Sequence, residues 1–226
     1  MPSPTDCGVI WDVDGTMVDT AELHFQAWVE LARQQDRPFS RQDFVATFGR
    51  RNPDIIHLLF GAQLSPSEVA ELGDRKEELY RARARMGVAL LPGVHALVEG
   101  LHAAGFGQAI GSSAPRANIE LILALTQTRR FFSAVVSMED TDRGKPEPQV
   151  FQIAAARLHV EPACCLVFED AVAGVQAAKA GGMRCIALSL VGHHSRSALQ
   201  QAGADLAVND FDRVSVQMVQ GLLGNR

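Results

Sequence analysis

The stretch Gly8-Val-Ile-Trp-Asp12-Val-Asp14-Gly-Thr16-Met-Val-Asp19 joins a short apolar run to several carboxylates. The run before Asp12 is too short for a helix and rich in β-favouring residues, so it predicts a buried strand. Alternate residues of a strand point to the same side, so Asp12 and Asp14 are expected to face one crevice at its end, where Gly15 and Thr16 turn the chain. Carboxylates this close repel one another, and a divalent cation would relieve the repulsion; a solvated turn with helix-capping aspartates is the alternative.

Length and composition exclude several classes of protein. The 226 residues, 47% of them hydrophobic, can bury a sizeable core in one or two domains. No stretch approaches the ~20 apolar residues of a membrane span, and the first residues lack a signal core, so we expect a cytoplasmic protein without a membrane partner. The net charge of −5 comes without a basic stripe, which argues against a nucleic-acid partner. The cysteines have no C-x-x-C spacing and are expected to be reduced core thiols: Cys7, Cys164, Cys165 and Cys185.

Only helical periods appear between Thr16 and about Met86. Asp19 and Glu22 have the spacing of a capping box, which predicts the start of a helix that continues to about residue 34. Further helices are predicted over residues 41–47, 53–60 and 66–85. We therefore expect an all-helical domain over residues 18–89.

Strands and helices alternate after Leu91-Pro-Gly93. Predicted strands span residues 107–111, 134–137, 164–168, 185–188 and 206–208, and helices are predicted around residues 94–101, 118–126, 148–159, 172–180 and 195–202. This alternation implies parallel strands with right-handed crossovers, and ligands then bind outside the carboxyl ends of the strands. The predicted fold is α/β, with a doubly wound, mostly parallel Rossmann-like core sheet from residues 1–17 and 90–226 and a small all-helical cap domain inserted after the first strand.

A possible phosphate site follows the strand 107–111. There, Ser112 and Ser113 precede a helix whose N-terminus can hold a phosphate, although Ser113 is also an ordinary N-cap candidate. Lys145 lies in a loop between Gly144 and Pro146, where its ammonium could neutralise a phosphate or a carboxylate or simply be solvated.

A second pair of acids follows the strand 164–168. Glu169 and Asp170 offer oxygen ligands of the kind that suits Mg²⁺. Because two separate strands end in carboxylate pairs, one shared metal site is favoured over two sets of helix caps.

These residues, in this order, resemble the four motifs of the haloacid dehalogenase-like superfamily: Asp12-x-Asp14-Gly-Thr16, Ser112, Lys145 and Glu169-Asp170. The helical insert is similar to the small cap of its β-phosphoglucomutase-like and sugar-phosphatase subgroup. The resemblance implies that Asp12 is a nucleophile that forms an aspartyl-phosphate, and that Asp14 protonates the leaving oxygen and then activates water. The dehalogenase branch fits less well, because it resembles a single-aspartate site without metal.

The resemblance also implies a cofactor and a phosphate site. Mg²⁺ would be held by the Asp12 carboxylate, the backbone carbonyl of Asp14, and Asp170, with Glu169 beside them. The transferring oxygens would be held by Gly15, Thr16, Ser112, Ser113 and Lys145, so that catalysis is mostly positioning and charge neutralisation.

The cap residues leave two activities open. His24 and Trp28, one helical turn apart, and Lys76 resemble cap residues of β-phosphoglucomutases, although related phosphatases carry similar ones. The mutase arginine for a second phosphate aligns with Asn52, with Arg50 or Arg51 as possible substitutes. The polar stretch that follows the second motif in mutases is likewise replaced here by Ala114-Pro115-Arg116, so Arg116 is a further candidate substrate contact.

A mutase must bind a bisphosphate at both ends, whereas a phosphatase needs one phosphate site and a water. The departures therefore favour a Mg²⁺-dependent phosphatase that acts on a small phosphorylated metabolite, a sugar or polyol phosphate. We expect the protein to be a monomer. The alternatives are a β-phosphoglucomutase-like isomerase that converts β-glucose 1-phosphate to glucose 6-phosphate, and a non-enzymatic phosphometabolite-binding module.

Overall fold

The computed structural model describes residues 3–47 and 51–224 and divides into two compact units. One consists of Met1–Asp19 together with Ala89–Arg226, and the other of Thr20–Val88. We call them the core unit and the helical unit. The boundaries expected from sequence, after residue 17 and before residue 90, lie one or two residues from these.

The helical unit contains the helices α1 (Ala21–Gln34), α2 (Arg41–Thr47), α3 (Asn52–Phe60) and α4 (Pro66–Ala84). Helices α1 and α3 both pack against α4. Their apolar faces bury a common cluster made of Trp28, Leu31, Phe44, Ile55, Ile56 and Val69. These helices lie where the 3.6-residue periodicity of the sequence predicts them.

The predicted start of α1 is wrong in one respect. Thr20 is the N-cap residue, and its side chain makes no capping hydrogen bond. Glu22 instead accepts a hydrogen bond from Gln26 and pairs with Arg41. The N-cap residue thus lies one position after the expected Asp19, so Asp19 and Glu22 do not occupy the N-cap and N3 positions that a capping box requires.

The core unit is built on a six-stranded parallel sheet, as the sequence predicts. Its strands are β1 (Gly8–Trp11), β2 (Gly107–Gly111), β3 (Ala134–Val136), β4 (Cys165–Glu169), β5 (Arg184–Leu188) and β6 (Leu206–Val208). They lie in the order β3-β2-β1-β4-β5-β6. Trp11 is in register with Ile110 of β2 on one side and with Phe168 of β4 on the other. The carboxyl ends of these three central strands therefore lie at one edge of the sheet.

Helices cover both faces of this sheet: α5 (Val94–Ala103), α6 (Arg116–Leu125), α7 (Gln149–Leu158), α8 (Val172–Ala180), α9 (Arg196–Gln201) and α10 (Val216–Gly224). On one face, side chains of α7, α8 and α9 share an apolar cluster with Ile10 and Val167. On the other, Trp11 stacks on Phe168 with ring centroids 4.3 Å apart. Helix α10 packs on α5 and β4, and the sequence analysis did not predict it.

The polar side-chain groups of Trp11 and Gln108, buried on this second face of the sheet, have hydrogen-bond partners. The indole N–H of Trp11 donates to Gln108, at 3.0 Å, and the Gln108 amide donates to the carbonyl of Val98, at 2.9 Å. None of the four cysteines, all of which the structure describes, is in a disulfide, and all but Cys164 are buried, in keeping with core thiols. Among the residues that the structure describes, no helix combines the length and apolar character needed to cross a bilayer.

Candidate active site

The predicted site residues follow the three central strands. Asp12 comes directly after β1, Ser112 directly after β2, and Glu169 is the last residue of β4. The amide of Asp12 still donates to the carbonyl of Phe168, at 3.0 Å, so the ladder between β1 and β4 holds the backbone of Asp12 in place. Adjacent parallel strands thereby bring side chains distant in sequence to one edge of the sheet.

Lys145 joins the two acidic strand ends. Its ammonium donates to Asp12 Oδ1 and to Glu169 Oε1, both at 2.6 Å, and its side chain is only 10% exposed. The ammonium also lies 4.8 Å from the ring centroid of Phe151 on α7. Burial alone would lower the pKa of Lys145, but Asp12 and Glu169 raise it above its ordinary value. Lys145 is therefore a fixed cation of the site and not a solvated loop lysine.

The carboxylate of Glu169 is held from both sides. Its Oε1 accepts from Lys145, while its Oε2 accepts from the backbone N–H groups of Asp170 and Ala171, each at 2.8 Å. These two N–H groups lie at the start of α8, where a helix favours a negative charge. A Cβ atom on Gly174 would lie 1.8 Å from Glu169 Oε1, so the carboxylate fits only because residue 174 has no side chain.

Asp12, Glu169 and Asp170 form a cluster that fits a divalent cation. One carboxylate oxygen from each lies within 4.8 Å of the others, and all three residues are buried. Burial raises the pKa of Asp12 to about 7 against the opposing effect of Lys145, and burial with Glu169 raises the pKa of Asp170 well above its ordinary value. One ammonium leaves this group with excess negative charge, and an all-oxygen donor set of this kind suits Mg²⁺.

The turn after Asp12 is tightly closed. The N–H of Gly15 donates to the carbonyl of Val18, at 2.8 Å, and the N–H of Thr16 to the carbonyl of Val13, at 3.3 Å. Gly15 has a φ of +84°, and a Cβ atom there would lie 2.1 Å from Asp170 Oδ2, so only glycine fits. The backbone N–H groups expected to hold a phosphate at Gly15 and Thr16 are thus engaged within the turn.

Thr16 and Asp14 lie on either side of this turn. The Thr16 hydroxyl donates to Asp170 Oδ1 at 3.4 Å, which ties the first strand end to the fourth. Asp14 is half-buried and pairs with Val18 in an isolated parallel bridge. Asp14 is therefore more accessible to solvent than Asp12.

Ser112 and Ser113 differ in their environment. Ser112 is buried, and its hydroxyl oxygen accepts the N–H of Ala114 at 3.1 Å. Ser113 is exposed and does not cap α6, because the helix begins at Arg116 with Pro115 as its N-cap residue. The N-cap prediction for Ser113 is therefore wrong. The structure gives Ser112 a fixed position and leaves the Ser113 side chain at the surface.

Arg116, a candidate substrate contact, is engaged within the core unit. Its backbone N–H donates to the Glu139 carboxylate, at 3.0 and 3.1 Å to the two oxygens. Its guanidinium pairs with Asp140 at 2.5 Å. Neither Glu139 nor Asp140 was singled out from the sequence, although Ser137-x-x-Asp140 has capping-box spacing that could have drawn attention to this turn.

The candidate residues of the helical unit form one buried network. Lys76 lies 2.8 Å from His24 Nδ1 and donates to Glu77 Oε1, also at 2.8 Å. Asn52 donates to the same Glu77 oxygen at 2.7 Å. Lys76 and Glu77 are 2% and 6% exposed, and Lys76 lies 5.4 Å from the ring centroid of Trp28. His24, Trp28, Asn52 and Lys76 thus meet around Glu77, which sequence reasoning did not single out.

The contact with Lys76 favours one tautomer of the His24 ring. An ammonium group has donors only, so the tautomer that fits this contact accepts at Nδ1 and has its proton on Nε2. The imidazole also stacks on Tyr80, with ring centroids 4.2 Å apart. Of the candidate arginines, Arg51 is exposed, and Arg50 lies outside the described residues.

The amino-acid sequence is similar to those of known proteins over most of the chain. Residues 8–182 match the model of the haloacid dehalogenase-like hydrolases. The chain is 32% identical over 184 residues to the fructose-1-phosphate phosphatase YqaB of Escherichia coli (strain K12), covering 81% of this chain and 97% of that protein. It is also 32% identical over 218 residues to the β-phosphoglucomutase of Bacillus subtilis (strain 168), covering 93% and 92%.

Solved structures share the fold over nearly the whole chain. The haloacid dehalogenase hydrolase of family IA, variant 3, from Entamoeba histolytica superposes with a TM-score of 0.88 and 25% identity, covering 96% of this chain and 99% of that one. These similarities span both the β-strands and the helical insert.

Proposed function

Because this chain belongs to the haloacid dehalogenase-like hydrolase family, we propose that it is a Mg²⁺-dependent phosphatase that hydrolyses a small sugar or polyol phosphate through an aspartyl-phosphate on Asp12. The observation that carries the proposal is the cluster of Asp12, Glu169 and Asp170 around the Lys145 ammonium. The fructose-1-phosphate phosphatase among its relatives supports the choice of reaction.

The first proposed step is attack by Asp12. A carboxylate oxygen of Asp12 forms a bond to phosphorus while the ester bond to the leaving oxygen breaks, and Asp14 gives its proton to that oxygen. Lys145 neutralises charge beside Asp12 throughout, and the Ser112 hydroxyl holds a phosphoryl oxygen.

The second step reverses the role of Asp14. Its carboxylate takes a proton from a water molecule, whose oxygen forms the new bond to phosphorus as the bond to Asp12 breaks. Phosphate leaves, and Asp12 and protonated Asp14 are restored. This division fits the buried position of Asp12 and the half-buried position of Asp14.

Mg²⁺ would be held by Asp12 and Asp170, with Glu169 beside them, and it would offset the repulsion between these carboxylates and the substrate phosphate. Glu169 already has three hydrogen-bond donors, from Lys145 and two backbone N–H groups. We therefore assign to Glu169 chiefly the orientation of Lys145.

Three of the candidate side chains for a second phosphate are engaged elsewhere, which supports hydrolysis over mutase activity and leaves the exposed Arg51 as the described candidate cation. A mutase binds a second phosphate, which needs a cation of its own. Lys76 is paired with the buried Glu77, Arg116 is paired with Asp140, and Asn52 is neutral and hydrogen-bonded to Glu77. Since the B. subtilis relative is a β-phosphoglucomutase, isomerisation of β-glucose 1-phosphate remains the second candidate function.

One assay separates these functions. The purified protein, with Mg²⁺, is given a panel of sugar and polyol phosphates and β-glucose 1-phosphate with and without a bisphosphate activator, and both phosphate and glucose 6-phosphate are measured. We expect phosphate release, reduced more than about 1,000-fold in kcat/KM by Asp12→Asn and unchanged by Asp6→Asn, an exposed control. Phosphate release that survives Asp12→Asn, or glucose 6-phosphate as the main product, would overturn the proposal.

A further inference from the structure

The segment that follows β3 is folded around one carboxylate. The Asp140 side chain accepts hydrogen bonds from both the N–H and the hydroxyl of Ser137, each at 2.9 Å, and so closes the short 3₁₀ turn Met138–Asp140. Ser137 is fully buried, and the side chain of Asp140 is 16% exposed. The turn is therefore a fixed part of the core unit.

This turn is tied to the loop that carries Ser112. The N–H of Ser112 donates to the Val136 carbonyl, and the N–H of Met138 donates to the Ala114 carbonyl, both at 3.1 Å. The ion pair between Arg116 and Asp140 then closes the loop at its far end. The loop 112–116 and the segment 136–140 thus face one another along their whole length.

Glu139 adds a contact that replaces a helix cap. Helix α6 has no capping hydrogen bond from its own N-cap residue, Pro115. The carboxylate of Glu139 instead accepts the N–H of Arg116, the first residue of the helix. A negative charge at this end is favourable for the helix, and it fixes where α6 begins.

Arg157 of α7 binds the Asp140 carboxylate from the side opposite to Arg116. Its guanidinium donates to Asp140 Oδ1 and to the carbonyl of Val135 in β3, both at 2.6 Å. Asp140 therefore links β3, α6 and α7 through two arginines. Charge-assisted hydrogen bonds of this kind are the stronger ones in proteins, so the geometry of the loop 112–116 depends heavily on Asp140.

From these contacts we infer that Asp140 is a positioning residue for phosphate binding, because it holds the loop on which Ser112 meets the phosphoryl group. It acts through Arg116 and Glu139 and does not itself touch the substrate. Arg116 is then part of the support of this loop and not a substrate contact. The inference rests on the proposed function only in assigning a phosphate to Ser112.

Asp205 provides a matched control. It too binds two cations, Lys179 at 2.6 Å and Arg184 at 2.8 Å, and accepts a backbone N–H, that of Cys185, at 2.8 Å. Its side chain is 13% exposed, close to the value for Asp140. It lies between β5 and β6, away from the Ser112 loop in the sheet order. The two aspartates thus differ mainly in the loop that they support.

The test compares Asp140→Asn with Asp205→Asn. Steady-state kinetics on a substrate of the wild type and calorimetric titration with inorganic phosphate are measured for both. We expect Asp140→Asn to raise KM and the dissociation constant of phosphate about tenfold with kcat within about threefold, since contacts made equally in the ground and transition states act on KM. Both variants should lower the melting temperature by a similar amount. Asp205→Asn should leave KM and the dissociation constant of phosphate unchanged.

A double variant tests the route of the effect. In a Ser112→Ala background, Asp140→Asn should weaken phosphate binding less than about twofold, because the Ser112 hydroxyl that Asp140 positions is already removed. Equal changes in the two aspartate variants, no change in either, or full additivity with Ser112→Ala would overturn the inference. A wild type that turns over no phosphate ester would instead count against the proposed function, while the phosphate titration, which needs no turnover, would still decide the role of Asp140.

Discussion

The absent side chain of Gly174 provides the space that the Glu169 carboxylate occupies: a Cβ atom at residue 174 would lie 1.8 Å from Glu169 Oε1. Because that carboxylate also receives Lys145 and two backbone N–H groups, the position of the Lys145 ammonium depends on a glycine that carries no functional group.

Gly174→Ala should therefore displace Glu169 and impair both stability and activity. We expect about 2 kcal/mol of destabilisation from overpacking, measured by urea unfolding, and a large loss of kcat. Gly221→Ala in α10 is the control, since nothing lies within 4 Å of its Cβ position and alanine favours a helix by up to about 1 kcal/mol. Equal stability changes in the two variants would contradict this account of Glu169.

Mg²⁺ should stabilise the protein in the absence of substrate. Removing the metal leaves three buried carboxylates with one ammonium, so adding Mg²⁺ should raise the melting temperature by several degrees. Asp170→Asn removes one of the repelling charges and should raise the melting temperature of the metal-free protein while abolishing most of the Mg²⁺ effect. Thermal unfolding with EDTA or Mg²⁺ measures both; an undiminished Mg²⁺ effect in Asp170→Asn would exclude Asp170 as a ligand.

Glu77→Gln should destabilise the helical unit strongly. It leaves the ammonium of Lys76, only 2% exposed, without its carboxylate, and breaking a buried ion pair costs about 3–5 kcal/mol. Glu78→Gln is the control on the next residue, whose pair with Arg75 is about half exposed on both sides and should contribute less than about 1 kcal/mol. Urea unfolding should separate the variants clearly; similar midpoints would show that the Lys76 pair contributes little.

The stability contribution of Asp140 should depend on pH. The hydrogen bond from Arg157, with those from Ser137 and the charge of Arg116, lowers the pKa of Asp140 well below its ordinary value of 3.8. A lowered pKa in the folded state stabilises the protein above pH 3.8, and this stabilisation is lost as the pH falls below it. The difference in urea midpoint between wild type and Asp140→Asn should be constant from pH 8 to 5 and shrink toward pH 3. A constant difference throughout would contradict the lowered pKa.

The strands and the acidic strand ends could be predicted because their signals are local. An apolar run that ends in Asp12, or in Glu169 and Asp170, is visible in the sequence, and parallel pairing follows from the alternation with helices. Helix α10 could also have been predicted, since Val216, Val219 and Leu223 have helical spacing, and Val219 and Leu223 are buried.

The residues that the sequence analysis missed act over long distances along the chain. Glu139 caps a helix that begins 23 residues earlier, and Glu77 meets Asn52 from a different helix. Such contacts depend on tertiary packing and leave no periodic pattern in the sequence. The same reason explains the wrong N-cap at Ser113, because propensity marks serine as a cap but cannot show that a distant carboxylate takes that role.

The central position of β1 has a consequence for how the protein folds. The strand that precedes Asp12 is made before its two partners, β2 and β4, which lie about 100 and 160 residues further along the chain. Contacts between residues so far apart form slowly, whereas the helical unit is built from local contacts. We therefore expect Asp12 to leave the ribosome long before the strands that surround it, and to be among the last residues to reach its native surroundings.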